Sequence, residues 1–323
     1  MASRGRIVGI GIVVAVLQVH AAAFAGTIRA DRSDSQYIDL GRPYASVGRF
    51  QGTTNTFGFV ASGTLIAPDW VLTAAHVVDH TKSLTFTIGG VNYAAANWLP
   101  NPNWNGNLFA GYDIGLVHLS RSVSGIQPAA LYTGFAEVGK VGTAVGYGMT
   151  GTGLTGAKTL DFNRRGEQNT IDRLMNARLF LSDFDNPRNP YDSSLGLSRP
   201  QDLEGLIAPG DSGGGVFLTV GTGASAQSFL AGVNSFVGAY DGRPDSDYGD
   251  ISGHTRVSAF ANWIKGVISS ATPASGASTA GSARAAFSPV PEPATFTLLA
   301  IGGLAALLLE IVRRKRGLAP SPR

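Results

Sequence analysis

Short runs of β-branched and aromatic residues recur along the first half of the chain, from about residue 36 to residue 147. Gly, Pro, Asn and Asp separate these runs, which lie at 57–60, 64–66, 70–73, 84–88 and 114–117. The runs are three to five residues long and show little helical periodicity, which is typical of short strands. The sequence therefore predicts an antiparallel barrel or sandwich in this half of the protein.

A second strand-rich region extends from residue 140 to residue 253, beginning with a run at 141–148 that ends in a glycine turn. Residues 149–170 are rich in Gly and Thr and then polar, which predicts an exposed loop with its tip at 161–166; a further loop is expected at 183–200. After it, apolar residues recur at helical spacing at 257, 260, 263, 264, 267 and 268. The pattern predicts an all-β chain that closes with one helix.

The two ends of the chain differ in character from the middle. Residues 1–25 combine two arginines, an apolar run at 7–17 and Ala23-Phe24-Ala25, which is typical of a secretory signal peptide cleaved before Gly26. A retained membrane anchor is the alternative. Residues 270–289 are dominated by Ala, Ser and Gly, as in a flexible linker. We therefore expect an exported protein.

The overall pI of 9.2 reflects the basic ends of the chain and not its middle part. Seven of the 25 Lys and Arg residues lie in the two terminal segments, and residues 26–290 carry 18 basic against 20 acidic residues. No nucleic-acid partner is expected from that balance. The chain has no cysteine, so its core forms without disulfides.

Candidate chemistry centres on Ser212, which lies between glycines in the stretch Gly210-Asp211-Ser212-Gly213-Gly214. A serine hydroxyl needs a neighbouring base to act as a nucleophile, and it needs N–H donors directed at the developing oxyanion. Glycines permit a tight turn that directs backbone N–H groups at one point. The alternative is a glycine-rich hairpin in which the serine only caps a turn.

Two upstream segments supply a base and a carboxylate: Thr73-Ala74-Ala75-His76 and Asp113-Ile114-Gly115-Leu116-Val117. Taken with Gly210–Gly214, these motifs in the order His, Asp, Ser resemble the chymotrypsin/trypsin-like serine endopeptidases. The resemblance implies two antiparallel six-stranded β-barrels, about 26–147 and 148–269, with a C-terminal helix. It also implies that His76, Asp113 and Ser212 are catalytic, that Gly210 and Ser212 form the oxyanion hole, and that no metal or organic cofactor is required.

In zymogens of that family, a freed apolar N-terminus pairs with the aspartate that precedes the catalytic serine. The resemblance therefore assigns an activation ion pair to Asp211, with Gly26, or Ile28 after trimming, as the mature terminus.

The same resemblance locates a specificity pocket. Leu206 occupies the position where trypsin-type enzymes place an aspartate, and Ser235, Phe236 and Val237 occupy the places of the usual Ser-Trp-Gly segment. An apolar floor cannot pair with a buried cation, so cleavage after Lys or Arg is disfavoured. We expect small or medium apolar side chains before the scissile bond. Gly215 also replaces the usual proline of the family.

The C-terminal segment 290–316 begins Val290-Pro291-Glu292-Pro293 and continues with an apolar run and a basic end, Arg313-Arg314-Lys315-Arg316. It resembles a PEP-CTERM sorting tail, followed by a short tail at 317–323, and a plain C-terminal anchor is the alternative. The partners implied are a polypeptide substrate, signal peptidase, an exosortase-type sorting enzyme and, before processing, the membrane.

Two other functions remain open. A catalytically silent domain of the same fold would serve adhesion outside the cell, although the complete set His76, Asp113 and Ser212 argues against it. An esterase would use the same three residues.

Overall fold

The computed structural model describes residues 26–196 and 199–271. The predicted signal peptide 1–25 lies outside this part of the chain, as do the sorting segment 290–316, the tail 317–323 and nearly all of the linker 270–289. None of the helices in the described ranges has both the length and the apolar character needed to cross a membrane.

Most of the described chain is strand. The strands are β1 (Thr27–Ile28), β2 (Val47–Thr53), β3 (Gly58–Ala67), β4 (Trp70–Thr73), β5 (Ser83–Ile88), β6 (Val91–Pro100), β7 (Gly115–Leu119), β8 (Ala130–Leu131), β9 (Val141–Gly146), β10 (Thr150–Thr152), β11 (Gly156–Thr159), β12 (Arg165–Thr170), β13 (Arg173–Asn176), β14 (Leu179–Asp183), β15 (Gly205–Leu206), β16 (Gly215–Val220), β17 (Gln227–Gly238) and β18 (Ile251–Arg256). The helices are α1 (Asp34–Gly41), α2 (Ala75–Val78) and α3 (Ala261–Ala271), and a 3₁₀ turn over Val257–Phe260 leads into α3.

The first half of the chain forms a closed barrel in the order β2-β3-β4-β7-β6-β5. Alternate residues of its strands point inward, where Phe50 and Phe86 are fully buried with ring centroids 4.8 Å apart. Leu65 and Val71 complete this apolar interior. The prediction of an antiparallel barrel from the short apolar runs is confirmed.

The second half forms a sheet in the order β12-β9-β16-β17-β18-β14-β13, with β8 beside β17. Its strands do not close into a second barrel by backbone pairing, so the expected second barrel is only partly formed. Where β12 approaches β14, the side-chain amide of Asn169 donates to the carbonyl of Asp183 at 2.7 Å. A side chain therefore joins these strands where a closed barrel would have a ladder of backbone hydrogen bonds.

A small third sheet, in the order β11-β10-β1-β15, holds the start of the described chain. Thr27 pairs with Leu206, and Ile28 pairs with Gly205 on one side and Thr152 on the other. Gly26 and Thr27 are buried as a result. This sheet brings residue 26 to the segment that precedes Ser212.

The all-β class and the closing helix are confirmed, and two element predictions are corrected. Helix α3 begins at Ala261, because residues 257–260 form the 3₁₀ turn. The segment 149–170 contains β10, β11 and β12 and is not one exposed loop. The sequence pattern did not predict strand β12 because its inward residues are polar: Arg165, Glu167 and Asn169 are all buried.

Candidate active site

His76 lies on the short helix α2, immediately after β4, and Asp113 lies just before β7, which pairs with β4. This pairing brings the two residues together across 37 positions of sequence. The Nδ1 atom of His76 lies 2.8 Å from Oδ2 of Asp113, and the backbone N–H of His76 donates to Oδ1 at 2.9 Å. The carboxylate thus fixes both the ring and its backbone, and it favours the tautomer with a proton on Nδ1.

The pKa of the His76 imidazole is raised above its usual value. Burial disfavours the charged ring, but the charge of Asp113 and its hydrogen bond outweigh that cost, and Asp79 adds to the attraction. An imidazole with this setting accepts a proton readily, as a general base requires.

Two further side chains hold Asp113, which is fully buried. Ser235 donates its hydroxyl to Oδ2 of Asp113 at 2.6 Å, and Thr255 donates to the Asp113 carbonyl at 2.9 Å. Both come from the second sheet, on β17 and β18. The carboxylate therefore lies between the two halves of the molecule, held in place by both.

The loop that carries Ser212 is shaped by glycines with positive φ, +95° at Gly210 and +82° at Gly213. A methyl group added to Gly213 would lie 1.9 Å from Oγ1 of Thr73, so no side chain fits there. The carbonyl of Ser212 accepts from the N–H of Ser62 at 2.8 Å, which ties the loop to β3.

Two N–H groups in this loop are available to a ligand. Within residues 26–196 and 199–271, neither the N–H of Gly210 nor that of Ser212 donates to a protein acceptor. The Gly210 carbonyl accepts from the Ser62 hydroxyl at 2.9 Å, which fixes the Gly210–Asp211 peptide that lies between these two N–H groups. Unpaired N–H groups on a fixed backbone suit a developing oxyanion.

His76, Gly210 and Ser212 line one open cleft of about 880 Å³. The rest of its wall comes from residues 54–57, 59–61, 77 and 79–82 of the barrel and from Pro209, and it includes the exposed ring of Phe57. No hydrogen bond joins the Ser212 hydroxyl to the imidazole in the described part of the chain. Such bonds commonly form only when substrate is bound.

Asp211 points away from the cleft and is buried. One carboxylate oxygen accepts from the N–H of Gly148 at 3.0 Å, and the other accepts from Ala208 at 2.9 Å and from the nitrogen of Gly26. Burial raises the pKa of Asp211 to about 7, although these N–H groups lower it. Gly26, not Ile28, is the residue at this carboxylate.

The residues expected in the specificity pocket lie elsewhere than in the cleft wall. Leu206 is buried in β15 opposite Thr27, and Phe236 packs edge-on against Phe109 with ring centroids 5.1 Å apart. Val237 contacts the apolar cluster that contains Ile207. Ser235 occupies its expected strand, but its hydroxyl contacts Asp113.

Sequence reasoning did not assign several residues at this site, namely Ser62, Ser235 as a partner of Asp113, Thr255 and Glu167. Ser235 is 122 positions from Asp113, and no local motif signals their contact. His254 is buried, and burial lowers the pKa of its imidazole to about 3. It stacks on Phe180.

One group of described residues brings carboxylate oxygens within 4.8 Å of one another, namely Asp245, Asp247 and Asp250. Burial raises the pKa of Asp250 to about 8, and its carboxylate accepts from the N–H of Ser246 at 2.8 Å. None of the three residues lines the cleft.

Two family models match parts of this chain. The family model described as Trypsin matches residues 40–264, and the model described as PEP-CTERM protein-sorting motif matches residues 289–316. The first match covers more than half of the chain.

Among curated relatives, the chain is similar to chymotrypsin-like elastase family member 1 of several mammals. It is 27% identical to the cat protein over 263 residues, which is 73% of this chain and 83% of that protein. It is 32% identical to the dog protein over 120 residues, which covers 34% of this chain and 43% of that protein. It is 38% identical to the macaque protein over 73 residues, covering 19% and 27% of the two chains. The dog and macaque matches therefore span less than half of those relatives.

A solved structure titled "HL collagenase structure at 1.7A resolution" has a similar fold, with a TM-score of 0.53 and 19% identity. The match covers 70% of this chain and 94% of that chain.

Proposed function

The chain belongs to the trypsin family, and from that premise we propose that it is an exported serine endopeptidase that forms an acyl-enzyme on Ser212. The observation that carries the proposal is the shared cleft. A histidine held by a buried carboxylate and a glycine-flanked serine beside unpaired N–H groups line the same open space.

The proposed reaction begins when Ser212 Oγ attacks the carbonyl carbon of the scissile peptide bond and His76 Nε2 takes the hydroxyl proton. The N–H groups of Gly210 and Ser212 stabilise the oxyanion. His76 then gives its proton to the leaving amine, which departs as the acyl-enzyme forms. A water molecule, deprotonated by His76, hydrolyses the ester and restores Ser212. Asp113 stabilises the imidazolium throughout.

We further propose that the enzyme cleaves after small or medium apolar residues. This proposal comes from the family resemblance, in which Leu206 stands where trypsin-type enzymes place an aspartate and so offers no charge to a basic side chain. Neither Leu206 nor Val237 is among the residues that line the cleft of His76 and Ser212. A peptide-library digest tests this by the residue found at the new C-termini. Cleavage concentrated after Lys or Arg would contradict it.

Activation is proposed to follow export. Removal of a signal peptide before Gly26 would create an α-ammonium group at the nitrogen that contacts Asp211. Signal peptidase would then be the activating enzyme. The domain boundaries proposed here are 1–25 for the signal peptide, 26–269 for the protease, 270–289 for the linker, 290–316 for the sorting segment and 317–323 for the tail.

The match to a PEP-CTERM sorting motif indicates export and association with the cell envelope. We propose that an exosortase-type enzyme processes this segment and that the protease domain faces outward.

Hydrolysis assays on the chain beginning at Gly26 test the proposed function. We expect cleavage of apolar peptides that Ser212→Ala abolishes and that Ser228→Ala, an exposed serine on β17, leaves unchanged. Turnover of acyl esters with no peptide cleavage would favour the esterase. No turnover of either class by folded protein that begins at Gly26 would favour the silent adhesion domain.

A further inference from the structure

Gly26, whose nitrogen contacts the Asp211 carboxylate, also lies beside a second buried carboxylate, that of Glu167. Glu167 on β12 is 2% exposed, and its Oε1 atom has no hydrogen-bond partner among the described residues. A methyl group added to Gly26 would lie 2.9 Å from the Glu167 carboxyl carbon and 2.9 and 3.0 Å from its oxygens. The unpartnered carboxylate is therefore directed at Gly26, whose nitrogen already contacts Asp211.

Strand β15 confines the Glu167 side chain at its base. A methyl group added to Gly205 of β15 would lie 2.7 Å from Cβ of Glu167, so β15 packs directly against the stem of the side chain. A buried carboxylate oxygen without a partner destabilises the fold unless a donor or a cation reaches it.

Charge at this point is unbalanced. Burial and the charge of Asp211 raise the pKa of Glu167 well above its usual value, so the two carboxylates repel each other. The described cation that acts on both is Arg165. Its guanidinium is already bound to Asp34 at 2.7 Å and to Asp161 at 2.6 Å. Four carboxylates thus share one guanidinium.

A cation added at residue 26 would correct this imbalance. In a chain that begins at Gly26, the nitrogen that contacts Asp211 becomes an α-ammonium group. This group has one positive charge and three N–H donors. We propose that Glu167 is the second carboxylate of a binding site for this glycine ammonium group, and that the site selects glycine as the activating residue. The inference rests on the proposed activation at Gly26 and adds a positioning residue to it.

Selection for glycine follows from the contact at Cα. Any side chain at residue 26 pushes the Glu167 carboxylate aside and separates it from the ammonium group. Thr27, which donates to the Ser246 carbonyl, and Ile28 in β1 fix the register, so the terminus cannot slide to relieve the contact.

The first experiment compares chains that begin at Gly26, verified by mass spectrometry of the N-terminal peptide. Glu167→Gln keeps the shape and removes the charge. We expect kcat/KM at pH 8 to fall about tenfold, and the alkaline limb of its pH profile to move down by about one pH unit. The direction follows because loss of a negative neighbour lowers the pKa of the ammonium group. The other titratable or charged groups that face Glu167 are Asp211, Arg165 and, from α1, Tyr37, and the substitution leaves all three in place.

Glu204→Gln is the matched control, because Glu204 is a buried glutamate whose pKa burial raises to about 9. Its carboxylate accepts from the N–H groups of Asp185 and Gln201 and not from Gly26. We expect its kcat/KM to stay within about twofold of the native value with an unchanged alkaline limb. A Glu167→Gln profile that matches this control would overturn the inference, while a loss of activity in Asp211→Asn would leave the proposed activation intact.

A second pair of variants remains informative if Glu167→Gln does not fold. Gly26→Ala is expected to lower kcat/KM about tenfold, and Glu167→Asp in the same chain, which shortens the acid by one methylene, is expected to restore most of the loss. An undiminished Gly26→Ala enzyme, or no rescue by Glu167→Asp, would contradict the inference. An active enzyme whose N-terminus lies elsewhere would contradict the proposed activation and, with it, the second carboxylate.

Discussion

The barrel and strand β12 of the second sheet bury different kinds of side chain at their inward positions, although other strands of that sheet bury apolar residues such as Phe180 and Val216. Strands β2 and β5 direct Phe50 and Phe86 into an apolar interior. Strand β12 keeps the same alternation but directs Arg165, Glu167 and Asn169 inward. The period of two describes both regions, and only the chemistry of the buried side chains differs.

The difference separates the part of the fold that supplies stability from the part that positions functional groups. Apolar burial in the barrel is favourable without any partner. Each buried polar group in the second sheet needs a partner, and Asn169 has two, the carbonyls of Asp183 and Gly205. Burying these polar residues therefore lowers the stability of the fold wherever a partner is missing. Such burial is tolerated where the residues position groups such as Asp211 for function.

The largest expected effect is on catalysis. Asp113→Asn should lower kcat/KM by about 10⁴-fold, because an amide no longer favours the Nδ1-protonated tautomer of His76 or stabilises its charged form. Steady-state hydrolysis of an apolar peptide measures it, and circular dichroism should show an unchanged fold. A loss below tenfold would mean that Asp113 is not the orienting acid.

The next effect is on the stability of the barrel. Phe86→Ala should lower the free energy of unfolding by about 3–5 kcal/mol, since it leaves a cavity in a fully buried apolar site. Denaturant unfolding measures the change. Leu154→Ala, an exposed leucine in the β10–β11 turn, is the control and should change stability by less than about 0.5 kcal/mol. Equal effects at the two positions would contradict the account of the barrel core.

Breaking the buried ion pairs of β12 should have a smaller but clear effect. Arg165→Met should cost about 2–4 kcal/mol, because Asp34 and Asp161 lose their partner while both remain partly exposed to water. Arg42→Met removes an exposed ion pair with Asp39 and should cost less than about 0.5 kcal/mol. If the two variants unfold at the same denaturant concentration, the buried ion pairs of β12 contribute no more to stability than an exposed ion pair.

Ser235→Ala tests the link between the second sheet and the triad acid. Loss of its hydrogen bond to Asp113 should lower kcat/KM by about tenfold. Ser235 is not among the residues that line the cleft, so the loss should appear in kcat more than in KM. A change confined to KM would indicate that Ser235 contributes to the pocket instead.

The smallest expected effect is on pH dependence. The raised pKa of His76 predicts that activity falls on the acid side with a midpoint above 6.5, since protonation removes the base. Asp79→Asn should move this midpoint down by less than about half a pH unit, because removal of a negative charge disfavours the imidazolium. A shift to higher pH would contradict the assignment of this limb to His76.

Much of the barrel was predictable because its inward positions are apolar and its turns are marked by Gly, Pro and Asn. The motifs around His76, Asp113 and Ser212 likewise pointed to residues that β4, β7 and the Ser212 loop bring to one region. Local sequence was informative wherever burial and hydrophobicity coincided.

Prediction from local sequence was wrong where burial and hydrophobicity did not coincide. Residues 165–170 read as an exposed loop because charged and amide side chains are usually solvated, yet they form a buried strand. Glu167 is 44 positions from Asp211 in sequence, and the pairing of β1 with β15 brings Gly26 close to both carboxylates. Such a contact depends on tertiary register, which no local pattern encodes.

The most direct test of the central claim is fluorophosphonate labelling of the chain that begins at Gly26, with mass spectrometry to locate the label. We expect close to one label per chain on Ser212 and none in Ser212→Ala. Absence of label from folded protein with a verified Gly26 terminus, or equal labelling of Ser212→Ala, would contradict the assignment of Ser212 as the activated nucleophile.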